Sequence, residues 1–303
     1  WDAVGLYQGV YFPAFSLGSE WNGRYRDDMR DCLKGGIAHT SAALQRISGS
    51  PDIYDPKIRG THASVNFLTC HDGFTLYDLD AYNEKHNEAN GWENTDGAND
   101  NRSWNCGVEG ETDDPEVLSL RMRMIRNACA VLMCSRGTPM FFAGDEFCNT
   151  QFGNNNPYCQ DNETSWLEWN GLKKQTELFE FVKAAIAFRK THPLLHQAKE
   201  LQGTSGSVLG YPDVSCHGQQ AWYGNFETTS RHFGMMYCGE EGEYLYVAYN
   251  LHWKEQSFAL PKLPEGLSWQ LVFDTEDGAS PEKEIKWIDQ KSFEAPPRSI
   301  LRL

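Results

Sequence analysis

The sequence lacks several signatures that assign a chemistry directly. None of its nine cysteines forms a Cys-x-x-Cys pair, so neither a zinc site nor a disulfide framework is predicted. Neither a glycine-rich phosphate loop nor a Gly-x-Ser-x-Gly nucleophile turn occurs. No apolar run approaches the ~20 residues of a membrane-spanning helix, and the first residues do not resemble a signal peptide. These absences argue against a membrane partner and against the functions that those motifs serve.

Positive charge is also scarce. The 303 residues include 27 Lys and Arg against 42 Asp and Glu, which gives a formal net charge of −15. Nucleic acid is therefore disfavoured as a partner, because phosphate contacts need clustered basic residues. The charge suits a neutral or cationic ligand. The scattered cysteines are typical of reduced thiols, so we expect a cytoplasmic protein.

The histidines do not predict a metal centre. His62, His71 and His86 lie near acidic residues, but their spacing matches no known set of metal ligands. We therefore predict no metal and no cofactor. The sequence gives no indication of an oligomeric state.

The middle of the chain predicts a strand, a long polar loop, a helix and a second strand. The first strand is Val65–Thr69, and the second lies in the apolar run Thr138–Glu146. Asp114 is a natural N-cap for the helix between them, with Pro115 at the first helical position. This order is a βαβ unit, whose strands run parallel and whose ligands bind at the carboxyl ends of the strands.

Both strands end in ionisable residues. After the first strand, Asp72 is placed to point into a pocket and His71 to donate a hydrogen bond to a ligand hydroxyl; the alternatives are a helix cap and a polar cluster without function. Asp145 and Glu146 follow the second strand. Paired carboxylates can divide acid and base work, but hydrogen bonding that supports the strand end is the favoured interpretation for this pair.

The final third has a different pattern. After about Ala198, short strand-like runs alternate with turn residues, which predicts an all-β module.

Several long phrases resemble one known family. They are "VNFLTCHDGFTLYDLDAYNEKHNEANGWENTDGANDN", "GTPMFFAGDE", "GNNNPYCQDNETSWLEW" and the opening "WDAVGLYQGVYFP" with "WNGRYRDDMR". In this order they resemble the glycogen-debranching and isoamylase branch of the α-amylase superfamily. The resemblance implies that residues 1–197 form the C-terminal part of a (β/α)8 barrel, about strands 6–8, and that residues 198–303 form a β-sandwich. The barrel strands are expected around Tyr25–Asp28, Val65–Thr69 and Met140–Ala143.

The same resemblance implies an activity and its residues. The family hydrolyses α-1,6 branch linkages by a retaining mechanism, so the partner is a branched α-glucan such as glycogen, amylopectin or limit dextrin. Asp72 matches the third catalytic carboxylate, which holds the distorted sugar, and His71 matches a hydroxyl-binding partner. Trp1 matches a position just after the acid/base Glu and is assigned to substrate binding. The nucleophile and the acid/base match no residue of this sequence, so we expect a C-terminal portion that is inactive alone.

Two alternatives remain open at this point. The aromatic-rich loops at 82–104 and 153–169 also suit a glucan-binding unit without chemistry. A pullulanase-like or transglycosylating member of the same superfamily would use the same carboxylates.

Overall fold

The computed structural model describes residues 18–36, 40–204, 210–224, 226, 227, 229–240, 242–276 and 286–303. The α-helices are α1 (Gly23–Leu33), α2 (Thr40–Ile47), α3 (Leu76–Leu79), α4 (Pro115–Cys134), α5 (Gly171–Lys174) and α6 (Thr176–Thr191). The strands are β1 (Glu20–Trp21), β2 (Ser64–Asn66), β3 (Thr138–Pro139), β4 (Val214–His217), β5 (His232–Cys238), β6 (Tyr244–Asn250), β7 (Gln256–Ala259), β8 (Gln270–Leu271), β9 (Phe273–Asp274), β10 (Lys286–Trp287), β11 (Ser292–Ala295) and β12 (Ser299–Arg302).

The first three strands form a parallel sheet with β2 in the centre. Trp21 of β1 pairs with Val65 of β2, and Val65 pairs in turn with Thr138 of β3. Between β2 and β3 runs α4, whose N-terminus is capped by the Asp114 carboxylate: Glu116 N–H donates to it at 2.9 Å. The predicted βαβ unit and its helix start are therefore confirmed.

Two predicted strand positions are wrong in detail. Tyr25–Asp28 lies inside α1, because the buried Asn22 side chain accepts a hydrogen bond from Tyr25 N–H (2.9 Å) and starts a helix there. The third strand ends at Pro139 instead of covering Met140–Ala143. The second strand is also shorter than predicted: Phe67 and Leu68 follow β2 and are buried outside the ladder. Their apolar character reports burial rather than strand pairing.

An antiparallel sheet follows, with the order β4-β5-β6-β12-β9. Its side chains alternate between two cores, as the period of a strand requires. In β5, Met235 and Tyr237 belong to the core shared with the helices, and Met236 belongs to a second core with Phe258 of β7. Gly234 leaves room for a neighbouring side chain, since a Cβ there would meet the Tyr246 hydroxyl at 2.0 Å. The predicted all-β module is present in this region.

The helices and the antiparallel sheet are joined through α4. Asn127 of this helix donates to the carbonyl of Arg298 (2.8 Å) and accepts a hydrogen bond from the Thr275 hydroxyl (2.5 Å). Because both regions contribute to one core, the boundary between residues 197 and 198 stays a prediction. No helix in the described part of the chain is both long and apolar enough to cross a membrane.

Candidate functional site

The candidate site is the turn Cys70–Gly73, which we call the His–Asp corner. It lies just beyond the carboxyl end of β2, the central strand of the parallel sheet. The side chains of His71 and Asp72 are 57% and 77% exposed, and His71 Nε2 lies 3.4 Å from Asp72 Oδ2. The Trp21 ring meets the His71 ring edge-on at a centroid distance of 5.8 Å. The structure therefore presents both predicted side chains to solvent, side by side.

The backbone of the corner is fixed by a glycine and a neighbouring loop. Gly73 has a φ of +108°, a conformation that side chains rarely adopt. Its N–H donates to the carbonyl of Asn155 (3.0 Å), which belongs to the loop after β3. The turn that follows Asp72 is thus tied to a second segment of the chain.

Asp145 supports the corner from inside the protein. It is 1% exposed, and its carboxylate accepts hydrogen bonds from the Thr69 hydroxyl and from Leu76 N–H (2.8 Å). These two donors stand on either side of the corner. Burial raises the pKa of Asp145 to about 7, although both hydrogen bonds act in the opposite direction. Glu146, its neighbour, accepts a hydrogen bond from Gly144 N–H (2.8 Å). The supporting role that the sequence favoured for this pair is the role that the structure gives it.

Asp78 is a second buried carboxylate, and sequence reasoning missed it. It accepts hydrogen bonds from the Thr150 hydroxyl (2.5 Å) and from Gln151 N–H (2.9 Å), so it holds the loop after β3. Burial raises its pKa to about 6 against these hydrogen bonds. The signal was present: Thr75 and Asp78 have the spacing of a capping box, and Thr75 Oγ accepts from Asp78 N–H (3.1 Å).

Three buried asparagines connect the loops around the corner, and we call Asn87, Asn101 and Asn155 the asparagine network. Asn155 exchanges two hydrogen bonds with Asn87, at 2.8 and 2.9 Å, and donates to Asn101 Oδ1 (2.8 Å). All three side chains are buried. Because the carbonyl of Asn155 also accepts from Gly73, the network links the corner to the long loop after α3.

Exposed aromatic side chains stand on the same loops. Trp92 donates from Nε1 to the Tyr158 hydroxyl (3.1 Å), and both rings are mostly exposed. This contact joins the two aromatic-rich loops that the sequence singled out. Trp1, the third predicted site residue, lies outside the described residues.

Comparison with known proteins identifies the relatives of this sequence. A family model described as "Isoamylase 1-3, C-terminal" matches residues 215–284. Isoamylase 3 of Oryza sativa is 41% identical over 276 residues, which are 91% of this chain and 34% of that protein. A glycogen operon protein GlgX homologue of Mycobacterium tuberculosis is 50% identical over 204 residues, which are 67% of this chain and 28% of that protein.

The chain belongs to the family of the isoamylases and the GlgX homologues. This confirms the resemblance that the sequence phrases indicated. The chain spans about a third of the length of the curated relatives it matches.

Solved structures share the fold over nearly all of the chain. The catalytic module of the glycogen-degrading pneumococcal virulence factor SpuA gives a TM-score of 0.69 at 14% identity, covering 97% of this chain and 44% of that one. A pullulanase from Anoxybacillus sp. LM18-11, solved with maltotetraose, gives 0.63 at 18% identity, covering 94% and 34%. At these identities the likeness concerns the fold alone.

The chemistry available to this isoamylase-family site follows from its exposure. A carboxylate beside an imidazole can accept and donate hydrogen bonds to the hydroxyl groups of one ligand. Asp78 and Asp145 are buried and already hydrogen-bonded within the protein. Neither carboxylate is therefore exposed beside Asp72. A pair of carboxylates that flanks a bond would have to be exposed together.

Proposed function

We propose that this chain is the C-terminal part of a debranching glycosidase that hydrolyses α-1,6 branch linkages in glycogen- or starch-like glucans. The chain belongs to a family whose named members include isoamylases and GlgX homologues, and it spans about a third of their length. Its parallel sheet has three strands in the described residues, as the last part of a (β/α)8 barrel would.

The observation that carries this proposal is the exposed His–Asp corner at the carboxyl end of β2. In the proposed role, the Asp72 carboxylate accepts hydrogen bonds from the ring hydroxyls of the glucose at the branch and helps to hold its distorted form. His71, whose imidazole is exposed next to it, donates to a hydroxyl of the same sugar. Asp145 and the asparagine network act through the backbone, since they fix the turn on which both side chains stand.

The bond cleavage itself is assigned to residues outside this sequence. A retaining mechanism needs a nucleophile and an acid/base whose carboxyl groups are about 5–5.5 Å apart. We assign neither role to a residue of this chain, and Asp78 and Asp145 are buried. The chain alone therefore binds part of the substrate and leaves its branch linkages intact.

The direct test is Asp72→Asn in the full-length protein that contains this chain. The amide keeps the size of the side chain but loses its negative charge, so we expect kcat on a limit dextrin to fall by about a hundredfold or more. Circular dichroism should show an unchanged fold, because Asp72 is exposed. Asp113→Asn, at another exposed aspartate, is the matched control and should retain full activity. Near-parental activity of Asp72→Asn would overturn the assignment.

A glucan-binding unit without chemistry is the second candidate, and the Trp92–Tyr158 contact favours it. Its hydrogen bond fixes two exposed rings, which suits stacking against the apolar face of a sugar. In this case the chain alone would bind maltotetraose with a change in tryptophan fluorescence, and Trp92→Ala would remove the part of that change that Trp92 contributes. Trp253→Ala, at an exposed tryptophan of the antiparallel region, is the control. An identical fluorescence change in Trp92→Ala would exclude this candidate.

A further inference from the structure

A concave surface lies beside the loop after β3, and we call it the aromatic cleft. Its volume is about 350 Å³, and its walls include Phe152, Trp166 and Phe147 together with Glu111 and Glu163. This volume lies within the range of small-molecule sites. The residues that line the cleft come from position 77, position 111 and positions 147–175, and they do not include His71 or Asp72. The cleft is therefore a separate candidate site.

The Trp166 ring lines the cleft and is both oriented by a hydrogen bond and exposed to solvent. Its indole Nε1–H donates to Asp161 Oδ1 (3.0 Å), which fixes the direction of the ring. The side chain nevertheless remains 58% exposed. A tryptophan that is oriented by a hydrogen bond and yet exposed loses little conformational freedom when a ligand stacks on it.

Phe152 is exposed and has a backbone conformation that is unfavourable for a residue with a side chain. Its φ is +55°, in the left-handed region that glycine favours, and its side chain is 47% exposed. The N–H groups on either side, those of Gln151 and Gly153, both donate to Asp78 Oδ2, at 2.9 and 3.4 Å. Phe152 N–H donates to Thr150 Oγ (2.9 Å). Hydrogen bonds to the buried Asp78 carboxylate thus hold the backbone on both sides of an exposed aromatic ring at the cleft. Residues in this unfavourable conformation are concentrated at functional sites.

The polar groups of the cleft select against anions. Glu111, Glu163 and Glu168 line it against a single lysine, Lys174, so phosphate-bearing ligands would meet a negative wall. The lining also has an apolar part, which includes the buried ring of Phe147. A fitting ligand is neutral, has an apolar face for the rings, and has hydroxyl groups for the carboxylates and for the Asn149 amide.

We propose that the aromatic cleft is a second saccharide-binding site, which holds a linear segment of an α-1,4-linked glucan while the His–Asp corner engages the branch point. Trp166 and Phe152 stack on the pyranose faces, and Glu163 and Glu168 accept hydrogen bonds from the sugar hydroxyls. The choice of an α-glucan over other saccharides rests on the proposed function. The existence of the site rests on the geometry of the cleft alone.

The test uses this chain with His71→Ala and Asp72→Ala, so that the corner contributes nothing to binding. The indole N–H resonance of Trp166 is followed by NMR during titration with maltoheptaose and, separately, with spermidine as a cationic probe. We expect a saturable shift with maltoheptaose. Phe152→Gly removes one ring at a position where glycine relieves the backbone strain, so it should fold at least as stably and bind about tenfold more weakly or worse.

Trp253→Ala is the matched control, because Trp253 is 51% exposed and lies far along the chain from the cleft. It should leave the titration unchanged. Unchanged affinity in Phe152→Gly, a Trp166 resonance that does not move with maltoheptaose, or a shift caused only by spermidine would each overturn the second site. None of these results affects the Asp72→Asn kinetics, so the two proposals fail separately.

Discussion

At the scale of single residues, the exposed carboxylate could be predicted from a local sequence pattern, whereas the hydrogen-bond partners of the buried carboxylate could not. His71 and Asp72 were predicted because polar residues after a buried strand lie at the ligand-binding edge of a parallel sheet. The partners of Asp145 were not predicted, since Thr69 and Leu76 are about seventy positions away in the chain and meet it only in the folded protein. A local sequence pattern therefore predicts the His–Asp corner. The hydrogen bonds that support it become apparent only in the tertiary structure.

Asp145 also gives a prediction about pH. Burial raises its pKa from 3.8 to about 7, so the folded state binds a proton that the unfolded state releases. The stabilisation is complete below about pH 4 and is lost as the pH rises toward 7. We expect Asp145→Asn, whose amide still accepts from Leu76 N–H and can donate to Thr69, to remove on the order of 1–3 kcal/mol of this pH dependence.

The measurement is urea unfolding of the parent and of Asp145→Asn at about pH 5 and about pH 8, with both proteins at the same ionic strength. The parent should lose more unfolding free energy than the variant between these two conditions. Equal losses in both proteins would show that Asp145 is ionised throughout and would contradict the raised pKa.

At the scale of elements, the start of the long helix α4 was predicted correctly, whereas the bounds of the short strands were not. Asp114 and Pro115 mark the start of α4 within the sequence itself. At α1, the family resemblance implied a strand at Tyr25–Asp28, and the residue that decides for a helix is Asn22, three positions earlier. Its buried amide also donates to Ser50 Oγ (2.9 Å) and Ser64 Oγ (2.8 Å), partners that sequence spacing does not reveal.

Asn22→Ala should therefore destabilise more than the loss of an ordinary cap. The change removes the capping acceptor and leaves buried hydroxyl groups with fewer partners, so we expect a loss of about 2–3 kcal/mol in the free energy of unfolding. Denaturant unfolding provides the measurement. Asn170→Ala is the matched control, because Asn170 occupies the same position before α5 without a side-chain capping bond. Equal effects of the two substitutions would contradict the structural role of Asn22.

At the scale of the whole molecule, the chain combines an open parallel sheet with a well-packed antiparallel one. In the described residues, β1 and β3 each pair with β2 on one side only, and the five-stranded sheet shares a core with α4 and α6. The all-β region could be predicted from its alternating runs. The extent of the parallel region could not, because closure of a barrel depends on strands that pair across the whole sheet. The proposed function therefore assigns substrate binding, and not bond cleavage, to this molecule.

The decisive experiment compares hydrolysis of a limit dextrin by this chain alone with hydrolysis by the longer protein that we propose contains it. The readout is the release of linear maltooligosaccharides from α-1,6 branches. We expect release by the full-length protein and, from this chain alone, no release above that of buffer. Turnover by the chain alone would contradict it, since a nucleophile and a proton donor would then have to lie within these 303 residues.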